Sequence, residues 1–379
     1  MHICFICHEF PNGEVSHGGF GTFVKTIANS LLNHGVEVSV IFFHNKINTK
    51  TIDFHGLNLY QKRIFKLPYI SWLLNSIAIN KIITKINKKS PISIIECSEL
   101  DLAFISKLKN INYVIRLHGG HHFFSKAENR KLNFWKAYQE KKSFAKADGF
   151  IAVSEYVRNE TQKYLSFNNK KVQVISNPID TDFFQPMAVE SISFQIVFAG
   201  TVCEKKGIRQ LIQAFALVKK RFPFATLQIY GRDWFFPNGD SFTKMLQNNE
   251  ISVLGDISND VHFHGAVSLQ EIKEKYARAH VCVFPSHSEA QGLVAPEAMA
   301  MQKCVIFTEI GPGKETIASF ENGLLCNPFD IQDIADKISW VFTNLDKVKA
   351  IAISARKTVL EKYELHLITQ KNINFYDAL

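Results

Sequence analysis

The sequence predicts an α/β protein built from two doubly wound, parallel-sheet domains. Short apolar runs rich in Ile, Val and Phe alternate with segments of helical periodicity, which is the pattern of parallel strands joined by crossover helices. At 379 residues and 46% hydrophobic content, the chain is long for one core and sufficient for two domains of about 150 to 200 residues. The alternation also stops and restarts near the middle of the chain, which indicates a domain boundary there.

The first domain is predicted over residues 1–187. Its strands and helices follow in the order "ICFIC", "FVKTIANSLLNHG", "VEVSVIFF", "YVIRLHG", "GFIAVS" and "VQVISNP". The next stretch, "IDTDFFQPMAVESIS", has neither the strand nor the helix period. We therefore place the boundary between positions 185 and 192.

The second domain is predicted over residues 188–360. Its alternating segments are "FQIVFAG", "GIRQLIQAFALVKKRF", "ATLQIYG", "VHFHG", "EIKEKYARA", "VCVFPS" and "CVIFTE". Residues 361–379 have a helical pattern and are expected to return to the first domain. Open parallel sheets bind ligands beyond the carboxyl ends of their strands, so two such domains facing each other across a cleft would bind a ligand between them.

Positive charge is concentrated in the first half of the chain. Residues 1–185 carry 24 Lys and Arg against 14 Asp and Glu, whereas the remainder carries 20 against 21. This excess favours an anionic partner such as a membrane surface or a phosphorylated substrate. Within residues 60–90, basic residues accompany Tyr69, Trp72, Leu73 and Leu74 without any acidic residue. That composition suits an anionic lipid interface, or alternatively a core helix with a solvated lysine face.

The seven cysteines are scattered through apolar runs, which predicts reduced, buried thiols in a cytoplasmic protein. Cys4 and Cys7 have CxxC spacing, but residues three apart on a strand face opposite sides, so we expect no metal or redox site there. The first residues lack the pattern of a signal peptide, and no run reaches the ~18 to 20 apolar residues that cross a bilayer. We expect a cytoplasmic protein that could bind peripherally to the inner face of the membrane.

Each predicted domain opens with a strand, a glycine turn and a helix. The turns contain Gly18 and Gly19 in the first domain, and Gly200 and Gly207 in the second. Such turns expose backbone N–H groups at a helix N-terminus, where a phosphate can bind. Neither stretch fits GxGxxG, which disfavours a dinucleotide cofactor.

Two glutamates eight positions apart occur in "SEAQGLVAPEAMA". Glu289 follows a buried strand that ends in "FPS", and Glu297 falls in the first turns of the next helix, where Pro296 is tolerated. Both carboxylates would then lie near one strand end and point into the same cleft. Taken alone, Glu297 could equally cap the helix, and Glu289 could be an ordinary loop charge.

The stretch "PSHSEAQGLVAPEAMA" resembles the E-x7-E signature of the retaining glycosyltransferases of family 4, in glycosyltransferase group 1, which have the GT-B fold. Other segments resemble that family in the same order, namely "HGGFGTFVKTIANSLLNHGVEVSV", "VISNPIDTDFF", "FAGTVCEKKGIRQLIQAF", "GPGKETI" and "NGLLCNP". The resemblance implies transfer of a hexose or hexosamine from a nucleotide-sugar, most often a UDP-sugar, to a glycan or lipid-linked acceptor. Such reactions build surface polysaccharides such as lipopolysaccharide or capsule, and the family requires no metal or cofactor.

In the second domain, the resemblance implies that Glu297 binds the ribose hydroxyls and Glu289 the hydroxyls of the transferred sugar. Lys206 would offset the charge that develops on the leaving diphosphate. Gly292 and Leu293 would present backbone N–H groups toward the sugar or the diphosphate.

In the first domain, the resemblance implies that Gly18 and Gly19 form a loop that comes close to the donor. His118, in "RLHGG", would lie near the primary hydroxyl of the sugar. Together with Lys206 and Glu289, it completes the implied catalytic set. Without the resemblance, His118, His121 and His122 would suggest a metal cluster or simply a polar loop.

The chain departs from the family at Thr201, which stands where an arginine is usual in the donor site. Threonine has no charge and cannot make a bidentate phosphate contact. Lys205 or Arg209 could substitute, although neither position follows the pattern. Ala290 and Gln291 also replace commoner residues, so donor preference is left open.

Two alternative functions are compatible with these observations. One is an epimerase of the same fold acting on UDP-N-acetylglucosamine, which would need no acceptor. The other is a non-catalytic subunit that binds a sugar nucleotide or polysaccharide, which the missing arginine favours. No nucleic-acid partner is expected.

Overall fold

The structure, a computed structural model, describes residues 1–13, 18–67 and 69–379. It divides the chain into two compact domains: Met1–Pro178 with Leu365–Leu379, and Ile179–Glu364. Each domain contains one sheet flanked by helices. The predicted fold class, two parallel-sheet α/β domains, is therefore confirmed.

The first domain has an eight-stranded sheet in the order β3-β4-β2-β1-β5-β6-β7-β8. All neighbouring pairs are parallel except β3 and β4, which form an antiparallel edge hairpin. The strands are β1 (His2–Cys7), β2 (Glu37–His44), β3 (Lys50–Phe54), β4 (Leu57–Arg63), β5 (Ile94–Cys97), β6 (Asn112–Leu117), β7 (Gly149–Ala152) and β8 (Lys171–Val174). Its helices are α1 (Gly19–Asn33), α2 (Ser71–Lys89), α3 (His121–Ala127), α4 (Phe134–Lys146) and α5 (Glu155–Gln162), with a 3-10 turn at Asp101–Phe104.

The second domain has a six-stranded, fully parallel sheet in the order β11-β10-β9-β12-β13-β14. The strands are β9 (Gln195–Ala199), β10 (Thr226–Tyr230), β11 (Val261–Gly265), β12 (Val281–Phe284), β13 (Val305–Thr308) and β14 (Leu324–Cys326). The helices are α6 (Ile208–Arg221), α7 (Phe242–Leu246), α8 (Leu269–Arg278), α9 (Val294–Ala300), α10 (Gly313–Thr316), α11 (Ile331–Thr343) and α12 (Leu345–Lys362). Short 3-10 segments span Glu204–Lys206 and Ser252–Asp260.

The boundary between the domains lies at Pro178 and Ile179 rather than near position 187. Ile179 donates its backbone N–H to the carbonyl of Tyr363 at 2.7 Å, and both Ile179 and Phe184 are buried in the core of the second domain. The aperiodic stretch after position 178 therefore packs as part of that domain. When a segment has neither strand nor helix periodicity, its sequence does not indicate which hydrophobic core it joins.

The last helix, α13 (Leu365–Asp377), belongs to the first domain. Its Tyr376 hydroxyl donates to Glu96 at 2.6 Å, and Glu96 forms a buried ion pair with Arg116 at 2.7 Å. Asn372 of the same helix accepts from Arg116. Because a buried charge is costly unless it is paired and hydrogen-bonded, this network ties α13 to strands β5 and β6. Helix α12 continues to Lys362, so the segment that joins the first domain begins at 365 rather than 361.

All seven cysteines are buried free thiols. Burial raises the pKa of Cys4 and Cys282 to about 12. These thiols are therefore protonated at neutral pH, as the prediction of reduced, buried cysteines requires. Within the described ranges, no helix combines the length and apolar character needed to cross a bilayer.

Candidate active site

The second sheet reverses its strand order beside β9. The chain passes from β9 to β10 and β11 on one side, and then places β12 against the other side of β9. Loops that leave adjacent strands in opposite directions open a crevice at the carboxyl ends, which is where α/β sheets bind ligands. The loops that follow β9 and β12 contain Lys206 and Glu289.

These two loops are in direct backbone contact. Gly207 has a φ of +67°, and a Cβ at this position would lie 1.8 Å from the carbonyl oxygen of Pro285. Nearby, His287 donates its backbone N–H to the carbonyl of Lys205 at 2.8 Å. Only glycine allows this approach, because it has no Cβ and adopts positive φ at no steric cost.

Lys206 and Glu289 meet as an ion pair between Nζ and Oε1. Their side chains are 19% and 9% exposed, so the pair is largely shielded from water but still open on one side. In such a setting the two charges orient each other more strongly than at a free surface. The structure thus brings together two of the three residues predicted to be catalytic.

Glu297 lies in the first turn of α9, as the sequence predicted. Its Oε2 lies 3.5 Å from the hydroxyl of Tyr276, a residue with no exposed surface. Burial raises the pKa of Glu297 to about 7, because the low-dielectric surroundings disfavour the charged carboxylate. The neutral form of this carboxyl group is therefore more favoured than that of an exposed glutamate.

Gly292 turns the chain from the Glu289 loop into α9. It has a φ of +80°, and a Cβ there would lie 2.6 Å from the ring of Phe307. The carbonyls of Gly292 and Leu293 accept from Ala295 and Glu297, at 3.2 and 2.9 Å. The predicted donor-binding backbone at 292 and 293 is thus the start of the helix that carries Glu297.

Thr201 lies directly beyond β9, two residues after its last residue. Arg209, one of the two candidate substitutes for the missing arginine, is held in ion pairs with Glu204 and Glu250. Its positive charge is therefore compensated within the domain. The expectation that Arg209 could replace an arginine at position 201 does not agree with this arrangement.

In the first domain, α1 begins at Gly19, one of the two glycines of the predicted turn, and Gly18 is the residue before the helix. The N–H of Gly18 donates to the carboxylate of Glu9 at 2.7 Å. A carboxylate from the chain itself thus occupies this N–H group, and an incoming phosphate would compete with it. Residues 14–17 of the predicted loop lie outside the described residues.

His118 follows β6 and packs edge-on against Phe20 and in a tilted contact with Phe23, with ring centroids 4.8 and 5.1 Å away. Burial, together with the nearby Arg116, holds its pKa well below the ordinary value. The ring is therefore neutral at physiological pH. Its Nε2 is buried and has no hydrogen-bond partner among the described residues.

His121 and His122 belong to a separate network. The carboxylate of Glu140 accepts from the backbone N–H groups of both residues, at 2.6 and 3.0 Å, and also contacts Nδ1 of His122. Nε2 of His121 accepts from the N–H of Asn133 at 2.8 Å. In the part of the chain that the structure describes, no group of three His, Cys, Asp or Glu residues is arranged to hold a metal ion.

Sequence reasoning missed Glu99, which lies beyond the end of β5 and is 4% exposed. Burial, reinforced by the neighbouring carboxylate of Glu140, raises its pKa to about 8. Gly120 separates the two acids, since a Cβ there would lie 1.8 Å from Glu140 Oε1 and 3.0 Å from Glu99 Cβ. No motif marks Glu99; only its place at the end of an apolar strand could have drawn attention to it.

Two family models match the chain and together cover most of it. The model described as Glycosyl transferases group 1 matches residues 181–358, and the one described as Glycosyltransferase Family 4 matches residues 17–183. An uncharacterized glycosyltransferase of Methanocaldococcus jannaschii is 25% identical over 99% of this chain and 98% of its own length. A capsular polysaccharide biosynthesis glycosyltransferase of Staphylococcus aureus is 24% identical over 55% of this chain and 52% of its own length.

Solved structures share the fold. Sucrose-phosphate synthase from Thermosynechococcus elongatus has a TM-score of 0.86 at 19% identity, covering 100% of this chain and 98% of that one. The Anabaena protein HepE, in complex with UDP and glucose, has a TM-score of 0.79 at 19% identity, with 100% of both chains covered. At these identities the likeness establishes the fold.

Replacing Gly207 with Ala should destabilise the second domain by about 3 kcal/mol or more, because it adds both a clash with Pro285 and strain at positive φ. Denaturant unfolding measures the effect. Gly239→Ala is the matched control, since Gly239 also has positive φ but no atom within 4 Å of its Cβ position. If both variants lost the same free energy of unfolding, the clash with Pro285 would not contribute, and the close approach of the two loops would not depend on glycine at 207.

Replacing Glu297 with Gln should stabilise the free protein by about 3 kcal/mol above pH 7. Folding raises the pKa of Glu297 from its ordinary value of 4.5 to about 7. The unfolded chain therefore releases this proton at a lower pH than the folded protein does, and the wild type loses stability as the pH rises from about 4.5 to about 7. The variant lacks this loss. Free energies of unfolding across pH 4 to 8 measure it, with exposed Glu274→Gln as the control; parallel wild-type and Glu297→Gln curves would contradict a buried carboxyl.

Proposed function

We propose that this chain, which belongs to the group 1 glycosyltransferases and has the GT-B fold, is a retaining hexosyltransferase. It moves a hexose or hexosamine from a nucleotide-sugar, in our proposal a UDP-sugar, to a glycan or lipid-linked saccharide. The product enters a surface polysaccharide such as capsule or lipopolysaccharide. Similarity to a capsular polysaccharide glycosyltransferase and to a structure that holds UDP and glucose supports this proposal.

The observation that carries the proposal is the ion pair of Lys206 and Glu289 at the switch point of the second sheet. A sugar nucleotide combines an anionic diphosphate with neutral hydroxyl groups. An ammonium group suits the first and a carboxylate suits the second. A preformed pair of the two is thus complementary to the junction between diphosphate and sugar.

Each residue of the second-domain site has a proposed role. Lys206 binds the diphosphate, and Glu289 accepts hydrogen bonds from the hydroxyls of the transferred sugar. Glu297 accepts from the two ribose hydroxyls in its ionised form, so donor binding lowers its raised pKa. The N–H groups of Gly292 and Leu293 point toward the sugar and the diphosphate.

The proposed reaction breaks the bond between the anomeric carbon and the diphosphate oxygen. The acceptor oxygen bonds to the same face of that carbon, and the acceptor proton passes to the leaving phosphate. Positive charge spreads over the sugar ring while negative charge grows on the diphosphate. Lys206 opposes that growing charge from a fixed position, which is the effect expected to supply most of the rate. In this proposal no metal ion takes part.

The first domain is proposed to contribute Gly18, Gly19 and His118. His118 is neutral, so its ring can donate or accept one hydrogen bond to the primary hydroxyl of the sugar without adding charge. Gly19 begins α1 and allows its loop to come near the donor. At Gly18, the donor would have to compete with Glu9 for the backbone N–H.

We also propose a peripheral, cytoplasmic membrane contact through residues 60–90. Helix α2 buries Ile79, Ile83 and Ile86 in the first domain, while Leu73 and Ile77 are each 43% exposed. The helix therefore has a core-facing side and a separate exposed apolar side. Lysines at the end of the helix supply positive charge for an anionic bilayer.

A nucleotide-sugar should raise the melting temperature of the protein, because a ligand bound only by the folded form stabilises it. We expect the largest shift in a panel of UDP-, GDP- and ADP-sugars to come from a UDP-sugar. Lys206→Ala should reduce turnover by about a hundredfold or more, with a much smaller effect on melting. Lys220→Ala, at the opposite end of α6, is the control and should leave turnover unchanged.

Incubation with the nucleotide-sugar alone separates the alternatives. A change of sugar configuration without acceptor indicates an epimerase, and binding without turnover against any acceptor indicates a non-catalytic subunit. Full activity of Lys206→Ala would contradict the proposed site.

Replacing Leu73 and Ile77 together with Ser should reduce sedimentation with vesicles of phosphatidylcholine and phosphatidylglycerol by at least about tenfold, because both side chains contribute apolar area. Vesicles of phosphatidylcholine alone should bind weakly in either case. Phe224→Ser is the control, since Phe224 is 83% exposed but lies in the second domain. Undiminished binding of the double variant would contradict the contact.

A further inference from the structure

We propose that Arg232 is a diphosphate-binding residue of the donor site and supplies the guanidinium that position 201 lacks. This inference rests on the proposed function, because it names a residue that binds the donor. It concerns the loop that follows β10, a strand that pairs with β9 on the side opposite to β12.

The backbone places Arg232 beside Thr201. The N–H of Val202 donates to the carbonyl of Arg232 at 2.9 Å, and the N–H of Trp234 donates to Val202 at 3.3 Å. Gly231 makes this approach possible: its φ is +153°, and a Cβ there would lie 1.7 Å from the carbonyl oxygen of Gly200. The loops after β9 and β10 therefore continue the pairing of their strands beyond the sheet.

The side chain follows the backbone. Nε of Arg232 lies 3.4 Å from the hydroxyl oxygen of Thr201, so the guanidinium reaches the very side chain that stands in place of an arginine. The two loops thus place the charged side chain of Arg232 beside the uncharged side chain of Thr201.

Among the residues that the structure describes, the side chain of Arg232 hydrogen-bonds to the neutral hydroxyl of Thr201 and forms no ion pair with a carboxylate. The adjacent Asp233 accepts instead from the N–H and hydroxyl of Thr243, at 2.9 and 2.7 Å, and from the hydroxyl of Ser241.

Two other cations of this domain, Lys206 and Arg209, are already engaged in ion pairs. Lys206 is paired with Glu289, and Arg209 with Glu204 and Glu250. A diphosphate carries at least two negative charges, which a lysine shared with a carboxylate neutralises only in part. Arg232 offers a planar set of donors that matches two phosphate oxygens at once.

The test compares two probes that differ only in the diphosphate. Arg232→Gln should weaken UDP binding by about tenfold, by calorimetry, and leave uridine binding unchanged, by NMR titration. The double variant Thr201→Arg with Arg232→Gln should recover most of the lost affinity. Arg221→Gln, which removes an exposed arginine at the far end of α6, is the control and should bind UDP as the wild type does.

Equal affinity of wild type and Arg232→Gln for UDP would overturn this inference, and so would equal losses for UDP and uridine. Failure of the proposed function looks different: the wild type itself would then bind none of UDP, GDP and ADP. If GDP or ADP binds more tightly than UDP, that nucleotide and its nucleoside replace the two probes.

Discussion

The candidate site depends on one steric constraint, the contact between Gly207 and the carbonyl of Pro285. Parallel strands on either side of a switch point send their loops apart, yet Lys206 and Glu289 must meet across the gap. The missing side chain at 207 lets the two backbones touch, and the ion pair forms directly beside that contact. The second sheet uses the same device at Gly231 and Gly200 to join the next pair of loops. Three neighbouring strand ends thus form one continuous edge that carries polar side chains.

The two domains use buried charge differently. In the first domain, Arg116 forms a buried ion pair with Glu96, and both side chains hydrogen-bond to α13, so they stabilise the packing of the terminal helix. In the second domain, Glu297 has the hydroxyl of Tyr276 as a distant neighbour and a pKa raised by burial to about 7. A group whose charged form is poorly solvated binds hydroxyl donors favourably. Ionisation of this carboxyl group therefore lowers the stability of the folded protein.

Much of this arrangement could be predicted from the sequence, because it depends on local patterns. The alternation of strands and helices, the glycine turns and the position of Glu297 in a first helical turn are all local. What could not be predicted depends on contacts across strands. Residue spacing gives no sign of three such contacts: the approach of Arg232 to Thr201, the ion pairs of Arg209, and the hydrogen bond from the N–H of Gly18 to Glu9. The same reason explains the displaced boundary at Pro178, since an aperiodic segment does not show which core it joins.

The most direct test of the account is a crystal structure of the protein with UDP bound. We predict that the diphosphate lies at the carboxyl ends of β9 and β12, with a phosphate oxygen within hydrogen-bond distance of Lys206 Nζ. We also predict that the ribose hydroxyls donate to Glu297. A nucleotide bound elsewhere, or one whose diphosphate leaves the pair of Lys206 and Glu289 untouched, would contradict it.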